Sequence, residues 1–207
     1  VIMLFVCSYS ALLVCLLGLA SFAAAKDVYV FPANNSSTAV TRFSAEPLAQ
    51  TGSIASVVNP HTILPTTQGT KIYLVGRSTS DTVVVVDPGL NQITRRIGLG
   101  SSAETGTLTP DGKYLLVPAG NLHVIDVGTD QVVATINAGT SPADLVVTPD
   151  SRLAYVLSPS TNRLVEVNLL TLQATGRTVL FPPADLTFNV SLSPLGQLLV
   201  SSTERMF

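Results

Sequence analysis

Residues 109–149 read TPDGKYLLVPAGNLHVIDVGTDQVVATINAGTSPADLVVTP, and this stretch decides the fold. It opens with a turn at Pro110, Asp111 and Gly112 and continues as short apolar runs separated by polar breaks. The runs are Tyr114–Val117, Leu122–Val127, Gln131–Ile136 and Ala143–Thr148. Short runs rich in β-branched residues and bounded by turn residues are typical of strands. The stretch therefore predicts four strands joined by three turns.

The same arrangement recurs along the chain. Prolines 110, 149 and 194 mark equivalent turns, at steps of 39 and 45 residues. The residues three places beyond these prolines are basic or polar, namely Lys113, Arg152 and Gln197, and Lys71 fits the same slot 42 residues before Lys113. The second run of each unit closes on Asp87, Asp126 or Asn168. A period near 42 residues with four strands per unit predicts an all-β fold, a β-propeller of four-stranded antiparallel blades.

The repeat divides residues 26–207 into blades of unequal completeness. Their approximate bounds are 27–69, 70–110, 111–149 and 150–194, with an incomplete unit at 195–207. We expect about four blades plus one strand. Such a set rarely closes a ring, and an open ring exposes strand edges. The pattern therefore predicts a partial ring that belongs to a longer propeller or to a truncated gene product.

Residues 1–25 differ from the rest of the chain. They read VIMLFVCSYSALLVCLLGLASFAAA and carry no charge. Small residues at Ala23 and Ala25 fit cleavage of a signal peptide before Lys26. The alternative is an N-terminal anchor, because the stretch is long enough to span a membrane. Either interpretation predicts a secreted, periplasmic or cell-surface protein, whose membrane contact is limited to residues 1–25 if they stay uncleaved.

Composition excludes several classes of site. Hydrophobic residues make up 46% of the chain, charged residues 12%, and the net charge is −2. Nucleic-acid binding is not expected, since no basic patch is present to neutralise phosphates. Both cysteines, Cys7 and Cys15, lie in the N-terminal segment. After cleavage the chain would hold no disulfide, thiolate metal site or cysteine nucleophile.

The motifs PDGKYLLV, HVIDVGTDQVVATINAGTSPADLVVTP and PDSRLAYV resemble the YVTN-type β-propeller repeats of bacterial and archaeal secreted and surface-layer proteins. The full motif set appears once, at 109–149, and the units at 71–110 and 152–194 match about half of it. The resemblance implies the propeller fold. It leaves the function open, because one fold hosts many functions.

Candidate site residues lie just before the predicted innermost strands, where the loops of a propeller ring the channel mouth. These residues are His61, Glu104, Asp144 and Asn189. A histidine beside carboxylates can act as a general base or help to bind a cation. The competing interpretation is that all four are solvated loop residues, because these positions differ in every unit.

Other polar residues are expected to serve the fold. Asp87 and Asp126 follow apolar runs, and Asp111 and Asp150 sit in the repeated turns, so we expect their carboxylates to accept backbone N–H bonds. No metal site is predicted from them. His123 alternates with apolar neighbours and is expected to face a gap between strands or solvent.

Two functions remain open at this level. The first is a non-catalytic binding or interaction scaffold with a protein or glycan partner, since no Gly-x-Ser-x-Gly, His-Glu-x-x-His or phosphate-binding glycine loop occurs. The alternative is a propeller enzyme of lactonase or lyase type, with His61 as base at the channel mouth. No cofactor is predicted, and the lack of tryptophan disfavours a quinone-binding propeller.

Overall fold

The computed structural model describes residues 27–30, 39–45, 47–55, 60–181, 188–193 and 197–202. Seventeen β-strands and one short 3₁₀ turn, Pro159–Thr161, occupy these ranges. The predicted signal peptide, with Cys7 and Cys15, lies outside them. No helix in the described ranges is long and apolar enough to cross a membrane.

The strands form five antiparallel sheets, which we call blades 1 to 5. Blade 1 holds β1 (Asp27–Val30), β2 (Ala39–Ala45) and β3 (Leu48–Ala55). Blade 2 holds β4 (Pro60–Pro65), β5 (Ile72–Gly76), β6 (Val83–Asp87) and β7 (Gln92–Ile97). Blade 3 holds β8 (Thr107–Leu108), β9 (Tyr114–Ala119), β10 (Asn121–Asp126) and β11 (Gln131–Ile136). Blade 4 holds β12 (Asp144–Val147), β13 (Leu153–Ser158), β14 (Arg163–Asn168) and β15 (Gln173–Leu180), and blade 5 holds β16 (Phe188–Leu192) and β17 (Leu198–Ser202).

This architecture is the predicted all-β partial propeller. Its blades are offset by one strand from the sequence repeat. The run before each repeated turn pairs with the strand after that turn, as β4 pairs with β5 and β8 with β9. A tight turn brings consecutive antiparallel strands together, so the innermost strand joins the blade that follows it. The repeat counted from the turn prolines therefore begins at the second strand of each blade.

The middle strands of blades 2, 3 and 4 are largely buried on both faces. In β5 and β6 alternate side chains pack toward opposite neighbouring blades, because successive residues of a strand point to opposite sides. Those facing blade 3 are Tyr73, Val75, Val83 and Val85, and those facing blade 1 are Ile72, Leu74, Val84 and Val86. Runs such as VVVVD are thus continuous rather than alternating in hydrophobicity. Four such cores join the five blades in sequence.

In blades 2, 3 and 4 a threonine closes the turn between the first two strands with two hydrogen bonds. Each threonine N–H donates to the carbonyl five residues on, and its hydroxyl accepts from that residue's N–H: Thr66 with Lys71, Thr109 with Tyr114 and Thr148 with Leu153. This pattern corrects the placing of Lys71 in the Lys113 slot. Lys71 occupies the Tyr114 position, because Thr66 and Thr109 are 43 residues apart, one more than the 42-residue step that aligns Lys71 with Lys113. The repeated threonine was a signal that the sequence reading overlooked.

Lys71 instead joins two blades at the end of the propeller where the turn between β4 and β5 lies. Its Nζ donates to Asp130 Oδ2 and to the Val127 carbonyl, both at 2.8 Å. The Tyr73 hydroxyl donates to Asp130 Oδ1 at 2.6 Å. Burial, and then the hydrogen bond to this carboxylate, raises the pKa of Tyr73. Asp130 therefore ties two side chains of blade 2 to blade 3, and we call this group the latch.

Every complete outermost strand carries a β-bulge at the same place. The extra residues in blades 1 and 2 are Thr51 and Thr94, and their hydroxyls donate to the Arg42 and Val85 carbonyls at 3.4 and 3.3 Å. Thr175 does the same in blade 4, with the Glu166 carbonyl at 3.3 Å. In blade 3 the extra residue is Val133, which has no hydroxyl. Blade 3, which has the fullest motif set, thus lacks the hydrogen bond that a threonine hydroxyl makes at the bulge in blades 2 and 4.

We expect Val133→Thr to raise the free energy of unfolding by about 0.5–1 kcal/mol, the usual net value of one hydrogen bond. The loss of apolar contact is small, since Val133 is 47% exposed. Urea denaturation measures the change, and Val132→Thr, one residue outside the bulge, is the control. Equal effects of the two substitutions would refute the role of the bulge.

Candidate functional site

The four predicted site residues all lie at one end of the partial ring, which we call the rim. His61 and Asn189 are the second residues of innermost strands β4 and β16, and Asp144 is the first residue of β12. Glu104 lies in the loop that leads into β8. Each innermost strand begins after the loop that leaves the outermost strand of the preceding blade. The innermost strands therefore all start at the same end of the partial ring. The structure then separates the four residues into two groups.

The first group contains His61. Pro60 pairs with Gly76 and Thr62 with Val75, so His61 is the extra residue of a β-bulge. Bulges redirect side chains and occur often beside functional sites. Burial, followed by the nearby Arg77 guanidinium, lowers the pKa of the half-buried His61, while Glu104 opposes the shift. The imidazole is therefore neutral at pH 7 and can accept a proton.

Glu104 is held beside His61 by three contacts. The Ala103 N–H donates to the Gly76 carbonyl at 3.3 Å, and the Thr62 hydroxyl donates to the Glu104 carbonyl at 3.0 Å. The Glu104 carboxylate forms an ion pair with Arg77. Blade 2 thus fixes the loop of blade 3 on both sides of Glu104. His61, Arg77 and Glu104 together are called the rim site.

Arg77 was missed by the sequence reading. It directly follows the apolar strand β5, and the pairing of Pro60 with Gly76 brings this position to the rim. The available signal was a charged residue at the end of the first strand of its repeat, where the next units have Gly120 and Pro159. Strand pairing was needed to show that this end faces His61.

The second group contains Asp144 and Asn189. The Asp144 carboxylate accepts the N–H groups of Leu145 at 2.9 Å and Val190 at 3.0 Å. Val190 follows Asn189 in β16, so this carboxylate joins the innermost strands of blades 4 and 5. Burial raises the pKa of Asp144, and the two N–H bonds oppose that shift. Asp144 serves the seam between blades, whereas Asn189 is exposed on the rim.

His123 is buried between strands and does not face solvent. Its Nε2 lies 3.1 Å from the Ala119 carbonyl, and its Nδ1 lies 3.3 Å from the Thr135 hydroxyl. Burial lowers the pKa of His123, and the bond to the Ala119 carbonyl opposes this shift. The side chain therefore belongs to blade packing.

We expect acid to destabilise the protein through His123. Its pKa is lower in the folded than in the unfolded chain, so its contribution to stability is complete above the unfolded value of about 6.5 and is lost as the pH falls through the folded value. Urea unfolding at pH 7.5 and pH 5.5 should show a smaller pH-dependent loss in His123→Gln, which keeps a donor for the Ala119 carbonyl. An unchanged pH dependence in this variant would contradict the assignment.

The four aspartates that the sequence assigns to turns do cap those turns, as predicted. Asp87 Oδ1 accepts the N–H groups of Gly89 and Leu90, and Asp126 Oδ1 accepts that of Thr129. Asp111 and Asp150 each accept the N–H group two residues on. Within the described ranges, no group of three or more His, Cys, Asp or Glu side chains is arranged to hold a metal ion.

The blades and their rim define a β-propeller repeat protein. Residues 2–187 match the family model described as a YNCE-like beta-propeller, so the chain belongs to that family. This match confirms the resemblance to the YVTN-type repeats. No curated protein matches the chain.

Solved structures share the fold at low identity. Kuenenia stuttgartiensis Hydrazine Synthase aligns with a TM-score of 0.71 and 21% identity over 82% of this chain and 51% of that one. The beta-propeller domain of Myceliophteria thermophila Cps50 (Swd1) aligns with a TM-score of 0.64 and 12% identity, over 81% and 56%. Dihydro-heme d1 dehydrogenase NirN, in complex with DHE, gives 0.65 and 15%, over 83% and 39%. The chain therefore spans about half the length, or less, of these structures, and the likeness concerns the fold alone.

Proposed function

We propose that this chain is part of a secreted, periplasmic or cell-surface propeller that acts as a non-catalytic scaffold and binds a protein or glycan at its rim. The proposal rests on the observation that the two rim carboxylates are already bonded to other groups of the protein. Asp144 is bonded to two backbone N–H groups, and Glu104 is paired with Arg77. A carboxyl group that acts as general acid or base must exchange a proton with substrate. Both rim carboxylates are already bonded to protein groups, Asp144 to backbone and Glu104 to Arg77, and these bonds disfavour that role.

The proposed location rests on residues 1–25, whose uncharged, apolar sequence ends in small residues before Lys26. N-terminal sequencing of the exported chain from a bacterial host tests it. A mature chain that begins at Lys26 agrees with a cleaved signal peptide, whereas an intact chain retained in the membrane indicates an anchor.

A propeller enzyme of lactonase or lyase type is the second candidate. It is favoured by His61, which is neutral at pH 7, is placed on a bulge and lies near an arginine that could stabilise a developing oxyanion. In that case His61 would abstract a proton from water or from the substrate carbon.

Turnover assays separate the two candidates. We expect the wild-type chain to leave the hydrolysis of δ-valerolactone and the β-elimination of polygalacturonate at their uncatalysed rates. An enzyme would accelerate one of them and lose at least a hundredfold of that acceleration in His61→Ala, the usual contribution of a general base being about 10²–10⁴-fold. Arg95→Met on the outer strand β7 is the control. Turnover that depends on His61 would overturn the scaffold proposal.

A further inference from the structure

We propose that the rim site recognises a neutral oligosaccharide through its hydroxyl groups. This inference rests on the scaffold function above and names the class of ligand that the same face would take. It follows from the hydrogen-bonding capacity of His61, Arg77 and Glu104, from their summed charge, and from the way the surrounding backbone holds them.

The rim site offers donors and acceptors side by side. The Arg77 guanidinium carries several N–H donors in a fixed plane, the Glu104 carboxylate accepts through two oxygens, and neutral His61 has one donor and one acceptor nitrogen. Arg77 and Glu104 have side chains that are 42% and 64% exposed, so unused donor and acceptor positions face solvent. A sugar hydroxyl both donates and accepts, and adjacent hydroxyls on a ring can bridge a guanidinium and a carboxylate. A ligand of this kind can bond to all three side chains while the Arg77–Glu104 ion pair stays in place.

Charge argues for a neutral ligand. With His61 uncharged, the Arg77 and Glu104 charges cancel within the rim site. A phosphate, sulfate or uronate would meet Glu104 as well as Arg77, and like charges close together cost free energy. A cation would meet the guanidinium in the same way.

The rim site is organised before a ligand arrives. The loop that carries Glu104 is bonded to blade 2 on both sides, through Ala103 with Gly76 and through Thr62 with the Glu104 carbonyl. Gly106, which ends this loop, is buried where an added Cβ would lie 3.1 Å from Val75 Cγ2 and 3.3 Å from the Leu116 carbonyl. Side chains supported in this manner lose less entropy on binding. The chain has no tryptophan to stack on a sugar ring, so we expect the affinity for the oligosaccharide to be low. The fixed polar groups should still make the binding specific.

Isothermal titration with neutral and acidic trisaccharides tests the inference. The neutral probes are cellotriose, laminaritriose, chitotriose and mannotriose, and the acidic probe is trigalacturonic acid. We expect at least one neutral probe to bind at least tenfold more tightly than the acidic probe. Glu104→Gln and Arg77→Met should each weaken that binding at least tenfold, and the control Arg95→Met should leave it unchanged. Circular dichroism melting of each variant shows whether it remains folded.

Three results would overturn the inference. They are binding of trigalacturonic acid as tight as that of every neutral probe, no heat with any neutral probe at millimolar concentration, and neutral binding that survives both rim substitutions in folded chains. These results would leave the scaffold proposal standing, because that proposal fails separately, on turnover in the lactone and lyase assays.

Discussion

Leu116→Ala is expected to lower the free energy of unfolding by about 3–5 kcal/mol, the range found for leucines truncated in tightly packed cores. Leu116 has no exposed surface and lies in the core between blades 3 and 4. The substitution removes buried apolar atoms and leaves a cavity that two β-sheets can close only in part. Because each core joins neighbouring blades, the loss should appear in the unfolding of the chain rather than as a local change. Urea denaturation followed by circular dichroism measures it.

Val179→Ala is the matched control for this truncation. Val179 lies on the outermost strand β15 and is 52% exposed. Its truncation removes a few contacts and leaves no cavity, so the expected loss stays below about 0.5–1 kcal/mol. Similar losses in the two variants would show that the face between blades 3 and 4 is not a packed core.

Asp130→Ala should lower the free energy of unfolding by about 3 kcal/mol, because hydrogen bonds to charged groups contribute roughly 1.5–3 kcal/mol and this carboxylate accepts two. The substitution removes the shared carboxylate from the Tyr73 hydroxyl and the Lys71 ammonium and leaves them only the Val127 carbonyl, at 3.4 and 2.8 Å. Tyr73 shows no exposed surface in the intact latch, so its hydroxyl depends there on protein acceptors. Asp130 also has a φ of 54°, a left-handed conformation that alanine adopts less readily than aspartate. Thermal and urea unfolding measure the loss.

Asp130→Asn separates the latch from the backbone effect. Asparagine tolerates the left-handed conformation and keeps an oxygen for the Tyr73 hydroxyl, so we expect less than half the loss seen with alanine. A double-mutant cycle with Tyr73→Phe should show non-additivity, since both changes remove the same bond. Strict additivity, or an asparagine variant as unstable as the alanine variant, would refute the latch.

Much of the fold could be predicted from the repeat. The turns at Pro110 and Pro149, with the runs between them, predict strand number and blade type, because turn chemistry and β-branched runs are local properties. The turn role of Asp87 and Asp126 follows for the same reason, since an aspartate caps backbone N–H groups two or three residues away. Such local features depend little on contacts with distant parts of the chain.

The candidate site could be predicted only in part. The sequence placed His61, Glu104, Asp144 and Asn189 on the rim, because the position of each is counted from a nearby turn. It could not divide them into two groups. The bulge at His61 and the contact of Asp144 with Val190 depend on strand register and on the neighbouring blade. Arg77 was missed because its partner is 27 residues away.

The sequence by itself determined the repeat, the class of fold and the capped turns, all of which depend on residues within one turn or one strand of each other. Only the tertiary structure decided that Asp130 joins Lys71 and Tyr73 across two blades, that Asp144 serves the seam between blades, and that Arg77 completes the rim site. The physical reason is that these contacts form between side chains far apart in the chain, where small changes of register decide which groups meet.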